Sequence, residues 1–156
     1  MYHLRYLRYF LAHKWRVFVL CWEFDVPLRG LLHDLSKLRP SEWFAHAKYF
    51  GRDPASRIDV CELDRAWHLH QHRNRHHWHW WLVWSDDGRY SPRYIPTRYR
   101  MEMLADWIAR ADSCEGLQQW WIKYGSKLPI EDRSADWLGN VIMRGGLKNE
   151  YFKGGA

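Results

Sequence analysis

Apolar residues recur at spacings of three and four over most of this chain, a period that belongs to helices and not to strands. Tyr2 to Trp22 carries Leu4, Leu7, Leu11 and Phe18 in this rhythm and predicts a long first helix. Pro27 and Gly30 punctuate it, and Gly30 to Leu38 predicts a short second helix ended by Pro40. Ser41 is placed to cap a third helix through Phe50. Ser56 with Asp59 has the form of a capping box for a fourth helix that reaches about His72. Residues 75–97 break the pattern. Trp78, Trp80, Trp81 and Trp84 precede a turn signal at Asp86-Asp87-Gly88, and Pro92 and Pro96 follow, which reads as loop with room for a short strand pair. Thr97 is placed to cap a fifth helix through about Ala111; Leu117 to Tyr124 and Ser134 to Met143 supply two more, and a frayed tail is expected from Lys148. A chain of 156 residues in this pattern is one compact all-α domain, residues 1–147, with one irregular aromatic-rich insert.

Composition narrows the partners. The net charge of +6 suits an anionic partner, but the 24 basic residues are spread along the chain and form no tail. A small phosphorylated ligand is therefore expected ahead of nucleic acid. Cys21, Cys61 and Cys114 are isolated and odd in number, which fits neither a disulfide framework nor a thiolate zinc site. The longest uncharged apolar stretch, Val17 to Trp22, is too short to span a membrane, and Arg5, Arg8, Lys14 and Arg16 interrupt the place of a signal sequence. A cytoplasmic protein without a transmembrane segment is expected, with a homodimer compatible. A basic first helix lying on a membrane is the weaker alternative.

The chemistry concentrates in the second helix and in a window where six of the ten His fall between His68 and His79. On a helical wheel Leu28, Leu31, Leu32, Leu35 and Leu38 share one side. His33, Asp34 and Lys37 share the other, the side that an amphipathic helix offers to water. Adjacent imidazole and carboxylate groups are good ligands for a hard or borderline divalent metal. Lys37, one turn further on, is suited to a bound phosphate. In the fourth helix His70 shares a face with Leu63, Ala66 and Trp67 and points inward, whereas His68 and His72 read as solvated. Periodicity does not decide between Asp106 and Asp112, and a lone His13 in the first helix reads more readily as core than as ligand.

The order His13, His33-Asp34 with Lys37, His70, His76-His77 and Asp106 resembles the HD-domain superfamily of metal-dependent phosphohydrolases. HDLSK (33–37) looks like the HDxxK form of cyclic-dinucleotide-cleaving members, although Trp78 replaces the acidic continuation that follows the paired His there. The segments HKWRVF (13–18), HDLSKLRPSEW (33–43), HRNRHHW (72–78) and EMLADW (102–107) are similar to a small family of bacterial and phage HD-like proteins. The resemblance implies an HD-like helical bundle. It also implies His13, His33, Asp34 and Asp106 as ligands of a first metal, with His70 and one of His76 or His77 for a second. One or two divalent ions (Mn, Fe, Mg, Co, Ni or Zn) are expected.

A cation in such a site lowers the pKa of bound water and polarises phosphoryl oxygens, so no Ser or Cys nucleophile is required. Lys37 would neutralise charge developing on the phosphate, Arg73 would bind phosphate, and Trp78 would stack on a base. The expected activity is hydrolysis of a phosphate ester or phosphodiester of a nucleotide. The rival reading is a metal-stabilised module that binds a nucleotide or nucleic acid without turnover.

Overall fold

The computed structural model describes residues 1–51, 60–144, 147–148 and 151–152. It is all-α. Helices α1 (Tyr2–Glu23), α2 (Pro27–Leu32), α3 (Pro40–Phe50) and α4 (Val60–Arg73) precede an irregular insert. Helices α5 (Thr97–Arg110), α6 (Cys114–Tyr124) and α7 (Asp132–Met143) follow it. The insert holds a two-stranded antiparallel ribbon, β1 (Leu82–Trp84) with β2 (Tyr90–Pro92), in which Val83 pairs with Ser91. Its turn passes through Gly88 at φ 79°, a left-handed position that glycine occupies without strain.

Helix ends depart from the sequence expectations in chemically clear ways. Pro40 opens α3 rather than ending the previous element, because its fixed φ and missing N–H suit a first helical turn; Arg39, not Ser41, is the N-cap. Pro96 likewise precedes α5, and Thr97 is its first residue rather than a side-chain cap. Helix α6 starts at Cys114 because Ser113 accepts the backbone N–H of Gly116. Glu131 does the same for Ser134 in α7. The Ser56–Asp59 capping box lies outside the described residues. Leu147 and Phe152 are buried in the main core, so the end expected to fray is anchored at Phe152.

The second helix is the main correction. It ends at Leu32, and a separate 3-10 turn spans Leu35–Leu38. Between them Asp34 takes a left-handed backbone conformation, φ 58°. That break turns the polar side inward. His33, Asp34 and Lys37 are buried at 0%, 1% and 6% exposure, whereas Leu28, Leu31, Leu32, Leu35 and Leu38 are 42–70% exposed. Helix α1 behaves alike. Its buried face is Tyr6, Phe10, His13, Val17, Leu20 and Cys21, while Leu4 and Leu11 face outward.

Apolar packing is divided in two by this arrangement. Val17, Leu20 and Cys21 join a main core with α5, α6 and α7, built around Met103, Leu104, Ile108, Leu138 and Ile142. Tyr6 and Phe10 pack in a smaller cluster with Ala47 of α3, against Leu7 and Trp43. His13 lies on the same face of α1, between Phe10 and Val17. The close crossing of α1 and α2 depends on Gly30, where an added Cβ would lie 2.7 Å from Phe18 Cα and 2.8 Å from Cys21 Cβ. Alanine's better helix propensity is worth about 1 kcal/mol, whereas forcing a methyl into packed backbone costs about 1–3 kcal/mol. Gly30→Ala is expected to destabilise the protein by about 1–2 kcal/mol net, read as a lower urea midpoint at unchanged slope.

Candidate metal centre

Four separate segments deliver imidazoles and carboxylates to one buried place. Helix α1 brings His13, the break after α2 brings His33 and Asp34, α4 with the start of the insert brings His70, His76 and His77, and α5 brings Asp106. Asp34 is central. Its Oδ1 lies 3.2 Å from His70 Nε2 and 3.4 Å from His76 Nε2, and its Oδ2 lies 3.5 Å from His33 Nε2 and 2.6 Å from Lys37 Nζ. Asp106 Oδ1 lies 3.0 Å from His13 Nε2 and 3.8 Å from His33 Nε2.

The donors fall into two adjacent groups able to hold a metal ion, and a third combination, His33, His76 and Glu102, overlaps both. Asp34, His70, His76 and His77 form the first group, and His13, His33 and Asp106 the second, with ligand atoms in each within 4.8 Å of one another. Both members of the His76-His77 pair take part. The choice left open at the acidic end falls on Asp106, which is 5% exposed, whereas Asp112 is exposed.

The far side of each ring is tied down. Glu102 Oε1 accepts from His33 Nδ1 at 3.2 Å and His76 Nδ1 at 3.1 Å, and Arg29 Nε donates to its Oε2 at 2.7 Å. Glu42 Oε2 accepts from His70 Nδ1 at 3.0 Å and from Ser36 Oγ, while Arg73 Nη1 donates to Oε1 at 2.7 Å. A carboxylate on Nδ1 fixes the tautomer and directs the Nε2 lone pair forward, as it does behind metal-binding histidines. In front, His13 Nε2, His33 Nε2, His76 Nε2, His77 Nε2 and Asp34 Oδ1 are buried and make no hydrogen bond of good geometry among the described residues. Orphaned buried polar atoms are costly, and five converging from three segments fit a cation.

Charge states agree with that use. Burial alone would raise the Asp34 carboxyl, but His33, Lys37 and His70 outweigh it and hold the group well below the usual carboxylate range. Asp106 is depressed likewise, burial being outweighed by His13 and Arg110. Burial pushes His77 well below its ordinary value and also lowers His76, so both imidazoles are neutral at neutral pH and able to serve a cation.

Three side chains expected at a substrate have other partners in the fold. Lys37 is buried against Asp34 rather than free on a polar face for phosphate. Arg73 is engaged by Glu42 and by Ser41 Oγ, behind the histidines and away from their Nε2 atoms. Trp78 is half-buried; it packs against the main core and stacks on His79 with centroids 3.4 Å apart. Glu42 and Glu102 were not singled out from sequence. Beside His13 a cavity of about 290 Å³ opens between α1 and α5, walled by Tyr9, Arg16 and Arg110.

These features define an all-helical domain built around a buried histidine–carboxylate centre able to hold metal. The chain belongs to the family described as a family of unknown function, DUF5662, which it matches over residues 2–144. No match is found among curated proteins or solved structures.

The same shifts set an acid limit. Burial lowers His46 to about 4, and His76, His77 and His79 are lowered too; such groups contribute stability that is complete above 6.5 and is lost as pH falls toward the folded value. His70 runs the other way, since Asp34 and Glu42 overcome its burial and raise it. Glu102, depressed to about 2, adds stability that disappears between about 4.5 and 2. The chelator-treated protein is expected to lose melting temperature below pH ~6.5 and again below pH ~4.5. A flat profile from pH 8 to 5 would contradict neutral burial of these histidines.

Proposed function

We propose that this protein is an HD-like, metal-dependent phosphohydrolase that cleaves a phosphate ester or phosphodiester of a nucleotide. The observation that carries this reading is the set of five orphaned buried atoms, in which His33 and His76 are braced at Nδ1 by Glu102 while Glu42 braces the neighbouring His70. Their order along the chain, with Asp34 between the two groups, supports a centre for two cations. Imidazole-rich, thiolate-free ligation favours Fe, Mn, Co, Ni or Zn over Mg.

A divalent cation bound there supplies Lewis acidity and a water-derived nucleophile at neutral pH. The protein's own groups do the rest. Asp34 stays ionised because His33, Lys37 and His70 surround it. Lys37 orients Asp34 Oδ2 at 2.6 Å, so it acts as a positioning residue. Glu102 and Glu42 hold three rings in one tautomer. Arg16 and Arg110 line the cavity beside His13 and place positive charge where a phosphate would approach.

Metal analysis joined to a phosphate-ester and nucleotide screen tests the proposal. Asp34→Asn is the suitable control, since asparagine tolerates the left-handed backbone that alanine would strain. Wild-type protein is expected to carry one or two divalent ions, to melt lower with a strong chelator, and to hydrolyse a nucleotide phosphoester; Asp34→Asn should abolish all three behaviours. Lys37→Ala should weaken metal affinity by about 10–100-fold, as loss of an orienting partner does. Tightly bound metal without turnover on any substrate would favour the rival binding module. Protein that takes up no divalent ion would sink both.

A further inference from the structure

A second cavity, about 380 Å³, lies on the other side of the histidines. Arg29, Arg39, Arg73 and Arg75 all line it, with Ser36, Asn74 and Tyr99 among its polar groups, and among the described residues no carboxylate lines it. Four guanidiniums around one space repel each other and are weakly hydrated for cations, which favours a multivalent anion as occupant.

We propose that this arginine cavity is a binding site for a phosphorylated small molecule carrying two or more negative charges, distinct from the metal centre. The separation follows from the bonding. Arg29 reaches Glu102 Oε2, Glu102 Oε1 reaches His33 and His76 at Nδ1, and only the opposite Nε2 atoms face the cluster. Arg73, Glu42 Oε1 and Oε2, and His70 Nδ1 form a second path of the same sense. An anion here therefore meets the cations that brace the carboxylates and does not reach the Nε2 side.

The arginines are pre-arranged. Arg75 Nη1 donates to Tyr99 Oη at 3.0 Å and its guanidinium packs 5.2 Å from the Trp80 ring; Arg29 lies 4.6 Å over the Tyr99 ring. Arg29 gives Glu102 its Nε–H, which leaves its outer nitrogens for another acceptor. Guanidinium forks match phosphate oxygens two at a time. The volume holds more than one phosphoryl group, which points to a diphosphate or a phosphate ester over a single inorganic phosphate.

Calorimetric titration of chelator-treated protein with phosphate and with pyrophosphate tests this directly. Saturable binding without metal is expected, tighter for pyrophosphate, and at least tenfold weaker in Arg39→Ala/Arg75→Ala, which leaves Arg29 and Arg73 on their carboxylates. Arg5→Ala/Arg8→Ala removes the same charge elsewhere and should change affinity little. If the first double variant fails to fold, the exposed Arg39→Gln alone should still weaken pyrophosphate binding severalfold. No binding to metal-free protein would overturn the proposal, as would equal losses in both double variants. Phosphate that binds only after metal is restored, and ignores Arg39 and Arg75, would place it at the metal centre and overturn the proposal while leaving the proposed activity intact.

Discussion

A buried ionised carboxylate is costly unless its oxygens are paired, and Glu102, 1% exposed, meets that demand by joining three segments distant in sequence. It holds His33 after α2, His76 in the insert, and Arg29 on α2, all from one position on α5. Glu42, fully buried, does the same for the 3-10 turn and α4 through Ser36, His70 and Arg73. Removing either carboxylate would leave buried cationic or donor groups without acceptors, which costs far more than the pair itself contributes. The relative placement of α2, α4, α5 and the insert thus depends on two acidic side chains.

The class of fold could be read from helical periodicity, and most of the clustered residues could be read from their order along the chain. Orientation could not. A helical wheel assumes that the interior is apolar, and here the interior at α2 is a polar centre, so the leucines of residues 28–38 face outward and His33, Asp34 and Lys37 inward. The left-handed turn at Asp34 that makes this possible has no strong sequence signal beyond aspartate's tolerance for it. His13 suffers from the same assumption: on a face shared with Phe10 and Val17 it looks like core, yet its Nε2 meets Asp106. Glu102 was within reach of inference, because it precedes Asp106 by one helical turn on the same face. Glu42 belongs to the same segment as His33-Asp34, but nothing in its spacing marks it as the acceptor for His70.

The outward leucines of α2 and its following turn, with Leu4, Leu11, Trp15, Val19 and Trp22 of α1, are unusually exposed for apolar groups. They do not result from a lack of burial elsewhere, since the main core is well formed from α5, α6 and α7. They arise because this part of the chain turns Tyr6, Phe10 and His13 of α1, and His33, Asp34 and Lys37 after α2, inward instead. Chemistry at the centre and greasiness at the surface are two results of one orientation.

The division of the apolar packing at His13 bears on how the domain opens. Tyr6, Phe10 and Ala47 form a patch too small to be stable alone, and they connect to the main core through the backbone of α1 and the histidine–carboxylate bonds. Cooperative units in a protein are bounded where few apolar contacts cross. The polar centre is such a boundary, so the strength of bonding within it decides whether amide protons in the first half of α1 exchange with those of α5 in a single global event or by an earlier, local one.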